Sequence, residues 1–337
     1  GAYDFQAPPR ARAGGRRMAV YTAVDPDDLA ALVGRYDIGT VLSCKGIAEG
    51  VENSNFLLET TGGRFILTLY EKRVQEGDLP FFVDLLGHLA RRGCPVPAMI
   101  RDRDGRAIQQ ISGRPACIIQ FLAGISLTHP TPAQCAAAGA ALGAMHKAVE
   151  DFSGARENSM GRAHWRGVAA AAGDLDTVLP GLQAIVDAEL AFLDDRWPAD
   201  LPRHVIHADL FPDNVLMLGD RVTGLIDFYF AATDFRAYDL AVTHASWTFS
   251  DDGRTCDSAR ASALMRGYAS EIDLSADEVA ALPLLARGAA LRFLLTRAHD
   301  WIHTPADALV TRKDPAPFLE RLRRYQAADA ADLFRAG

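Results

Sequence analysis

The sequence predicts an α+β fold with two lobes, in which a small antiparallel-sheet lobe precedes a larger, mainly helical lobe. Strand patterns divided by glycine turns fill the chain up to residue 122, and helical patterns dominate after it. The chain has 337 residues, more than the roughly 250 to 300 at which a single core stops growing. We therefore predict a flexible leader over residues 1–17, a first lobe over 18–122 and a second lobe over 123–337.

The sequence of the first lobe predicts two helices and two pairs of strands. Residues 25–26, Asp-Pro, predict an N-cap and the first position of a helix that ends near Gly34. The runs SNFLLET and GRFILTLYE are separated by the turn residues 61–63 and predict a β-hairpin. DLPFFVDLLGHLARRG has helical spacing and predicts a long helix that stops at Gly93. Two more strands follow, with glycine turns at residues 104–105 and 112–113.

Composition and charge narrow the class of protein. Hydrophobic residues make up 49% and charged residues 23%, which is typical of a globular chain. The net charge of -8 argues against nucleic acid or an anionic membrane as a general partner, but it permits a local basic pocket for a phosphorylated ligand. The five cysteines are odd in number and lack a CxxC spacing, so free thiols in a reducing compartment are expected.

No membrane span is expected, because charged residues interrupt each apolar run before the ~18 residues that a span needs. The arginine-rich leader lacks the apolar core of a secretory signal. We expect a soluble, cytoplasmic protein, with Met18 as a candidate natural start. Its oligomeric state does not follow from the sequence.

The second lobe contains HADLFPDNV, residues 207–215, between short apolar runs that predict strands. After Asn214 the chain continues as VLML, a polar turn and VTGLI, which predicts a hairpin that ends at Asp227. An antiparallel pair brings the start of its first strand beside the end of its second. We therefore expect Asn214 and Asp227 to lie close together and to offer oxygen ligands of the kind that Mg²⁺ prefers.

Asp209 stands five residues before Asn214, which is the spacing of a kinase catalytic loop. In that loop the aspartate accepts the proton of the acceptor hydroxyl, and the asparagine and a later aspartate hold the metal. The pattern assigns these three roles to Asp209, Asn214 and Asp227. We interpret His207 as a residue that orders the loop, and Asp213 as a turn or helix-cap residue.

The segments VIHADLFPDNV and GLIDFYFA resemble the catalytic motif and metal-binding aspartate of the aminoglycoside phosphotransferase/choline kinase-like superfamily. YDIGTVLSCKGIAEGVENSNFLLET, FILTLYEKR, DLPFFVDLLGHLA and ALRFLLTRAHDW are more specifically similar to bacterial homoserine kinases of the ThrB type. These segments span most of residues 20–315. The resemblance implies a protein-kinase-like fold, ATP and Mg²⁺ as cofactors, and phosphorylation of the side-chain hydroxyl of L-homoserine, a small-molecule substrate.

The resemblance also implies positions for the nucleotide. KGIAEGVENSNF lies where such kinases carry the loop that covers the phosphates. Glycines allow the backbone to approach phosphates closely, and polar side chains add donors. An ordinary hairpin turn remains an alternative for this stretch, and a plain strand end for the hinge that would pair with adenine. The candidate residues are Gly46, Gly50, Asn53 and Ser54 in the loop and Gln120, Phe121 and Leu122 in the hinge.

One position departs from the kinase pattern. The lysine that usually anchors the α- and β-phosphates aligns with Thr68, which carries no charge. Lys72 shares its strand face but lies four residues on, roughly 13 Å away. Lys45, Arg64 and Lys72 stay open as replacements, with Lys72 preferred for the nucleotide site. The only acid of the next helix is Asp84, so we expect the usual ion pair to be absent or rebuilt; a non-catalytic nucleotide-binding protein stays a smaller possibility.

The acceptor pocket must pair with a carboxylate and an ammonium group. Arginine is the natural partner for a carboxylate, and late-helix arginines followed by a tryptophan are candidates. Structural salt bridges are an equal alternative for these arginines, and another hydroxylated amine, such as an aminoglycoside or choline, is an alternative acceptor. A choline-type cage of aromatic residues is less favoured. The candidates are Arg292, Arg297, Trp301, Tyr229 and Asp234, with Asp239 as a further acid.

Overall fold

The computed structural model describes residues 24–47, 53–70, 75–304 and 312–336. The predicted leader and the candidate residues Gly50 and Lys72 lie outside the described residues. A five-stranded antiparallel sheet with the order β1-β2-β3-β5-β4 forms the small lobe, as predicted. Its strands are β1 Val41–Gly46, β2 Asn53–Thr60, β3 Gly63–Tyr70, β4 Gln109–Ile111 and β5 Arg114–Gln120, and its helices are α1 Pro26–Val33 and α2 Leu79–Arg91.

Local sequence signals account for the small-lobe elements. Asp25 caps α1 by accepting hydrogen bonds from the backbone N–H groups of Asp27 and Asp28. Strands β2 and β3 pair up to Thr60 opposite Gly63, which leaves a two-residue turn. A Cβ atom on Gly62 would lie 2.5 Å from the carbonyl oxygen of Ile38, so this turn position requires glycine.

Helix α2 joins the two lobes through its buried face. The sheet and α1 share a small core of their own. The buried residues of α2 instead belong to the large core that continues into the second lobe. They are Leu79, Phe82, Leu85, Leu86 and Leu89. The lobes are therefore packed closely together, as the lack of a linker-like sequence near residue 122 predicts.

The large lobe is helical around two small sheets. Strand β7 pairs with β10, and β6, β8 and β9 form a second sheet in that order. Its helices are α3 Pro132–Ala148, α4 Arg162–Ala172, α5 Leu182–Arg196, α6 Arg236–Trp247, α7 Ser258–Ala269, α8 Ala276–His303 and α9 Ala316–Gln326. Its strands are β6 Ile125–Ser126, β7 Arg203–Ile206, β8 Val215–Leu218, β9 Arg221–Leu225 and β10 Ala232–Phe235.

Helix α8 is the one described helix long and apolar enough to cross a membrane, by length and composition. Of its most apolar window, 61% is buried inside the fold. Arg287 of this helix has a partner there: its Nε and Nη2 atoms each donate to one carboxylate oxygen of Glu189 at 2.7 Å. These contacts are typical of the core helix of a globular lobe.

The five cysteines are free thiols, as their number and spacing predict. Cys117 on β5 is fully buried, and burial raises the pKa of its thiol to about 12. Its sulfur lies 3.1 Å from the Tyr70 hydroxyl. This thiol therefore stays protonated and acts as a small packing group.

Candidate active site

The catalytic loop, residues 207–214, lies between β7 and β8 and ends in a short 3₁₀ turn, Pro212–Asn214. A buried carboxylate from α6 fixes its backbone. Asp239 accepts hydrogen bonds from the backbone N–H groups of His207 and Ala208, both at 2.7 Å. It also accepts one from His146 Nε2 at 2.9 Å, and His146 Nδ1 lies 2.8 Å from the Tyr268 hydroxyl. Three donors thus converge on one carboxylate beneath the loop.

These donors decide the charge of Asp239. Burial by itself would raise its pKa, but the hydrogen bond and positive potential of His146, together with the loop N–H groups, hold the pKa below its usual value. Asp239 is completely buried. The expectation that it accepts the ammonium group of a substrate is wrong, because both of its oxygens are used to hold the loop.

The loop contains a strained residue next to Asp209. Ala208 has φ 65°, a left-handed conformation that residues other than glycine seldom adopt. Its N–H is held by Asp239, and its carbonyl accepts a hydrogen bond from Nη1 of Arg292. The surrounding contacts therefore impose this backbone conformation, which sets the direction of the following side chain.

Asp209 and Asn214 are in direct contact. The Asn214 amide nitrogen donates to the carbonyl oxygen of Asp209 at 2.8 Å and lies 3.3 Å from its carboxylate. Burial raises the pKa of Asp209 to about 8, with Arg292 opposing the shift and Asp227 adding to it. Because the side-chain nitrogen of Asn214 points at Asp209, the side-chain oxygen of Asn214 points away from Asp209 and can bind a cation.

His207 connects the loop to the hairpin that follows it. Its Nε2 atom donates to the carbonyl oxygen of Ile226 at 2.9 Å, and its Nδ1 accepts from the Asp209 N–H at 3.2 Å. One nitrogen is thus a donor and the other an acceptor, as in a neutral ring. Burial agrees with this, because it lowers the pKa of His207.

The hairpin of β8 and β9 brings Asn214 and Asp227 to the same end. Val215 pairs with Leu225, and the Ile226 N–H donates to the Asn214 carbonyl at 3.0 Å. Asp227 follows, exposed and with φ 64°, a second left-handed residue that is not glycine. The described residues contain no cluster of three His, Cys, Asp or Glu side chains that could hold a metal. Asn214 and Asp227 therefore fit a cation that takes few protein ligands and completes its shell with phosphates and water, as Mg²⁺ does.

At the position of the usual lysine, the small lobe has a neutral cluster. Thr68 is 1% exposed and donates to Oδ1 of Asn55 at 2.8 Å. The Tyr229 hydroxyl interacts with Thr68 and Tyr70, and burial raises its pKa far above the usual value. The Tyr229 ring packs edge-on against Tyr70 and Phe82, with centroids 5.7 and 5.6 Å away. Small-lobe residues therefore contact both the hydroxyl group and the ring of Tyr229, which the sequence made a candidate for binding the acceptor substrate.

Two of the three basic candidates, Arg64 and Lys45, lie in the described part of the small lobe. The guanidinium of Arg64 lies 4.6 Å from the centroid of the Phe121 ring, at the hinge end of β3. Lys45 is exposed on β1, opposite Leu57. The only acid of α2, Asp84, is exposed on the outer side of that helix. No described residue therefore rebuilds the lysine–glutamate pair at Thr68.

The remaining nucleotide candidates lie at the two ends of the sheet. Gly46 ends β1, and Asn53 and Ser54 begin β2 with buried side chains. The oxygen of the Asn53 side chain is buried without a hydrogen-bond partner. Of the hinge residues, Gln120 ends β5 and its N–H is bonded to the Ala98 carbonyl, and Phe121 and Leu122 follow the strand.

Two large apolar side chains are exposed, and the sequence reasoning did not single them out. Leu42 on β1 and Ile125 on β6 each leave 66% of their surface exposed. Large apolar side chains of this exposure often mark a ligand site when they flank a cleft. Strand alternation in the sequence cannot say which face of a strand is left uncovered.

The late-helix candidates differ in exposure. Arg292 is 3% exposed, and its Nε is buried without a partner. Arg297 is half-buried, stacks 4.5 Å from the Phe318 centroid and donates to the Asp314 carbonyl. Burial and Arg321 lower the pKa of Arg297 to about 10, so it stays positively charged at neutral pH.

The last two acceptor candidates have other partners. Trp301 lies beneath the guanidinium of Arg312, 4.4 Å from its ring centroid. Asp234 on β10 accepts from the Asn158 amide at 2.7 Å and from the Phe235 N–H. Arg292 and Arg297 both interact electrostatically with Asp209: Arg292 lowers the pKa of Asp209, and Asp209 raises the pKa of Arg297.

Known proteins share this fold and part of this sequence. The sequence profile of the phosphotransferase enzyme family matches residues 43–274. Among solved structures, an amicoumacin kinase in complex with AMP-PNP, Ca²⁺ and amicoumacin superposes with a TM-score of 0.66 at 15% identity, covering 91% of this chain and 93% of that one. A choline kinase from Cryptosporidium parvum gives 0.65 at 15% identity, with coverage of 89% and 94%. These likenesses establish a fold shared by kinases of small molecules.

Curated relatives are much closer in sequence. The homoserine kinase of Sinorhizobium fredii is 53% identical over 314 residues, which are 92% of this chain and 95% of that protein. The homoserine kinase of Nitrobacter winogradskyi is 54% identical over 310 residues, 92% of this chain and 95% of that protein. Both confirm the resemblance predicted from the sequence. The chain belongs to the phosphotransferase enzyme family and, within it, to the homoserine kinases.

Proposed function

We propose that this chain transfers the γ-phosphoryl group of ATP to the side-chain hydroxyl of L-homoserine, with Asp209 as the base. The contact between Asp209 and Asn214 supports this most, because the anchored loop of residues 207–214 holds the two side chains together. The chain is also about half identical to homoserine kinases. Such a loop carries the base and a metal ligand in phosphoryl transfer.

Asp209 is suited to accept a proton near neutral pH. A general base works best when its pKa lies close to the working pH. Burial raises the pKa of Asp209 to about 8, and a cation held at Asn214 and Asp227 would lower it again, which favours the carboxylate form that accepts the proton. Asn214 holds the carboxylate from one side. The acceptor hydroxyl would therefore meet an oriented carboxylate, and the main contributions to the rate are positioning and charge neutralisation.

Asn214 and Asp227 are the residues that would hold Mg²⁺. Bound there, the cation would supply the positive charge that the phosphate oxygens need. The residues of this chain keep that position defined: the hydrogen bond between Ile226 and Asn214 joins the two strands next to both side chains. His207 adds a second link to the same strand end through Ile226.

ATP would lie between the lobes with its adenine at the hinge. The backbone of Phe121 and Leu122 would pair with the base edge, since the Gln120 N–H is bonded to the Ala98 carbonyl. The exposed side chains of Leu42 and Ile125 would cover the faces of the base. Gly46, Gly50, Asn53 and Ser54 would line the phosphates, with Lys72 the favoured cation there. Thr68 would contribute no charge to this site.

The acceptor carboxylate would bind to the arginines of α8. Arg297 is the stronger candidate for direct contact, because its guanidinium is charged and half-buried. Arg292 is almost fully buried and bonded to Ala208, so its main contribution is to hold the loop, with its free Nε as a second possible donor. Fork-shaped guanidinium groups pair well with carboxylates.

The base assignment is tested by replacing Asp209→Asn. We expect the turnover number to fall by about 10²- to 10⁴-fold, since the proton acceptor is removed. Asp213→Asn serves as a matched control, because Asp213 is an exposed acid four residues further along the same loop. Steady-state ADP release and circular dichroism are measured for both variants. Near-normal turnover in Asp209→Asn would refute the assignment.

The acceptor is tested with a panel of alcohols. L-homoserine is compared with 3-aminopropan-1-ol, choline and an aminoglycoside, each with ATP and Mg²⁺, by identifying the phosphorylated product. We expect kcat/KM to be at least about a hundredfold higher for L-homoserine, because buried polar groups that lose a partner reject an analogue strongly. A preference for 3-aminopropan-1-ol would show that no carboxylate site is used, and ATP binding without any product would favour a non-catalytic protein.

A further inference from the structure

A second cavity lies outside the catalytic cleft, on the outer face of α2. Its volume is about 330 Å³. One wall is the face of α2 that carries Asp84, Gly87 and Arg91, and the opposite wall is the segment of residues 151–154. None of these residues belongs to the catalytic loop or to the hinge. The cavity is large enough for a small metabolite.

Opposite charges lie along one stripe of the helix. Asp84, Gly87 and Arg91 are spaced i, i+3 and i+7, so they share one face over two turns. Within the described part of the chain, neither the Asp84 carboxylate nor the Arg91 guanidinium has an ion-pair partner. The cavity therefore has an unpaired anion and an unpaired cation on the same stripe, and the Arg91 side chain extends back over Gly87 towards Asp84.

Gly87 makes room between these charges. A Cβ atom at this position would lie 3.3 Å from Nη1 of Arg91, so the guanidinium reaches back over the glycine. Glycine weakens a helix interior relative to alanine, because it loses more backbone freedom on folding. The missing side chain leaves space at the floor of the cavity, where alanine would crowd the cation.

Three other polar side chains of the cavity already have partners. Arg101 donates to the Gly105 carbonyl at 2.8 Å, and His88 Nε2 lies 2.7 Å from the Ala148 carbonyl. Asp151 forms an ion pair with Arg92. What remains for a ligand is the Asp84 carboxylate, the Arg91 guanidinium and the Ser153 hydroxyl, beside an apolar surface formed by Val83, Met99 and Phe152.

We propose that this cavity binds a small zwitterionic α-amino acid with an aliphatic side chain, and that its occupancy changes the turnover of the enzyme. The carboxylate of the ligand pairs with Arg91, its ammonium group with Asp84, and its side chain packs on the apolar wall. A guanidinium recognises a carboxylate through two parallel hydrogen bonds. A ligand that carries only one of the two charges leaves the other end of the stripe unsatisfied.

The same helix touches the active site from its other face. Phe82 of α2 packs edge-on against Tyr229, with ring centroids 5.6 Å apart. Tyr229 lies two residues after Asp227. A ligand that shifts α2 therefore acts directly on a contact next to the proposed metal ligand, and this contact is the physical link between the two sites.

Binding is measured by isothermal titration calorimetry with L-valine as the probe, against isobutylamine and 3-methylbutanoate, which each lack one of its charges. We expect a Kd on the order of 1 mM for L-valine and at least about tenfold weaker binding of each analogue, which is the change expected from losing one charge-assisted pair. Equal binding of L-valine and either analogue, or no binding of L-valine, would overturn the proposal.

Variants of the cavity residues test whether L-valine binds in this cavity. Arg91→Gln and Asp84→Asn change exposed residues and should each weaken L-valine binding about tenfold or more. Gly87→Ala should also weaken it, whereas Gly167→Ala should not, because a Cβ on Gly167 of α4 meets nothing within 4 Å. Both glycine variants gain helix propensity, so a difference between them reports the cavity.

The acceptor pocket is the competing location, because the proposed substrate is also an amino acid. Arg297→Gln should leave L-valine binding unchanged if the probe occupies the α2 cavity. Loss of binding in Arg297→Gln, with normal binding in Arg91→Gln, would place the probe in the acceptor pocket and overturn the proposal. Saturating L-valine should change kcat at least about twofold in the wild-type enzyme and not in Arg91→Gln; binding without such a change would refute the effector role.

Discussion

Two buried polar clusters, one beneath the loop of residues 207–214 and one on β3, differ in whether they contain a charge. The loop anchor (His146, Asp239 and Tyr268) keeps a buried carboxylate and gives it three donors. The strand cluster (Asn55, Thr68 and Tyr229) has a neutral hydroxyl where kinases usually place a lysine. A buried charge is thus retained at Asp239, where it fixes the backbone of the loop. It is absent at Thr68 on β3, where a charge would contact only the nucleotide.

This difference has a physical basis. A buried carboxylate is stable only if donors replace its lost water, and two backbone N–H groups of a rigid loop do so without a further loss of side-chain entropy. Thr68 is 1% exposed and its side-chain partners, Asn55 and Tyr229, are neutral, so a lysine there would lack a charged partner before ATP binds. The neutral cluster satisfies its own hydrogen bonds in the absence of nucleotide.

The largest expected effect comes from the loop anchor. Asp239→Asn replaces one acceptor oxygen with a donor, which then faces backbone N–H groups that have no other partner. We expect the free energy of unfolding to fall by about 3–5 kcal/mol and kcat to fall at least about a hundredfold. Urea unfolding and steady-state kinetics measure both. Asp257→Asn is the control, since asparagine caps a helix as well as aspartate does and Asp257 is the N-cap of α7.

A loss confined to activity, with unchanged stability in Asp239→Asn, would contradict the comparison. It would mean that the buried charge contributes to the reaction and not to the loop. Equal losses in the Asp257→Asn control would show that the assay reports a general loss of folding.

A second prediction concerns burial without a charged partner. His244 lies on α6 with Asp239, but its neighbours are neutral: the Tyr325 hydroxyl at 2.7 Å and the Leu333 carbonyl at 3.0 Å. Burial lowers its pKa from 6.5 to about 4. Between these pH values the unfolded chain binds a proton that the folded chain does not, so stability falls as the pH falls from about 6.5 to 4.

The expected loss is at most about 3 kcal/mol, from 1.36 kcal/mol for each pKa unit. Urea unfolding of the wild type at several pH values between 4 and 7 is compared with His244→Gln, which cannot titrate there. The variant should show a flatter dependence on pH. Parallel curves would show that His244 is not held neutral by burial.

The strand cluster should respond more weakly. Thr68→Val keeps the shape of the side chain but leaves Oδ1 of Asn55 without its donor, and we expect a loss of about 1 kcal/mol in unfolding free energy. The KM for ATP should change less than about threefold if Thr68 does not contact phosphate. A tenfold rise in that KM, with little loss of stability, would place Thr68 in the nucleotide site.

The sequence predicted the parts of the site that depend on short spacing. The interval between Asp209 and Asn214 and the hairpin that joins Asn214 to Asp227 are local, and strand alternation and turn residues define them. The two-lobed fold followed from the change from strand to helix patterns. The family resemblance named the substrate, which no local pattern specified.

The loop anchor was not predictable in the same way. His146 and Asp239 are 93 residues apart and meet only because α3 and α6 pack beneath the loop. A single sequence shows that Asp239 follows the metal aspartate, which made it a candidate for ligand contact. Its true role depends on burial, and burial is set by the tertiary fold.

The smallest expected effect tests whether Arg64 substitutes for the missing lysine. Its guanidinium stacks on Phe121 at the hinge end of β3, four residues from Thr68, and four strand residues span roughly 13 Å. Arg64→Gln should therefore alter the KM for ATP by less than about threefold, because only the stacking on Phe121 is lost. Steady-state kinetics at saturating L-homoserine measure this, with Lys45→Gln as the matched change on β1. A tenfold or larger rise in the KM for ATP in Arg64→Gln, but not in Lys45→Gln, would mean that Arg64 reaches the phosphates when ATP binds. A movement of the small lobe would then supply the positive charge that is missing at Thr68.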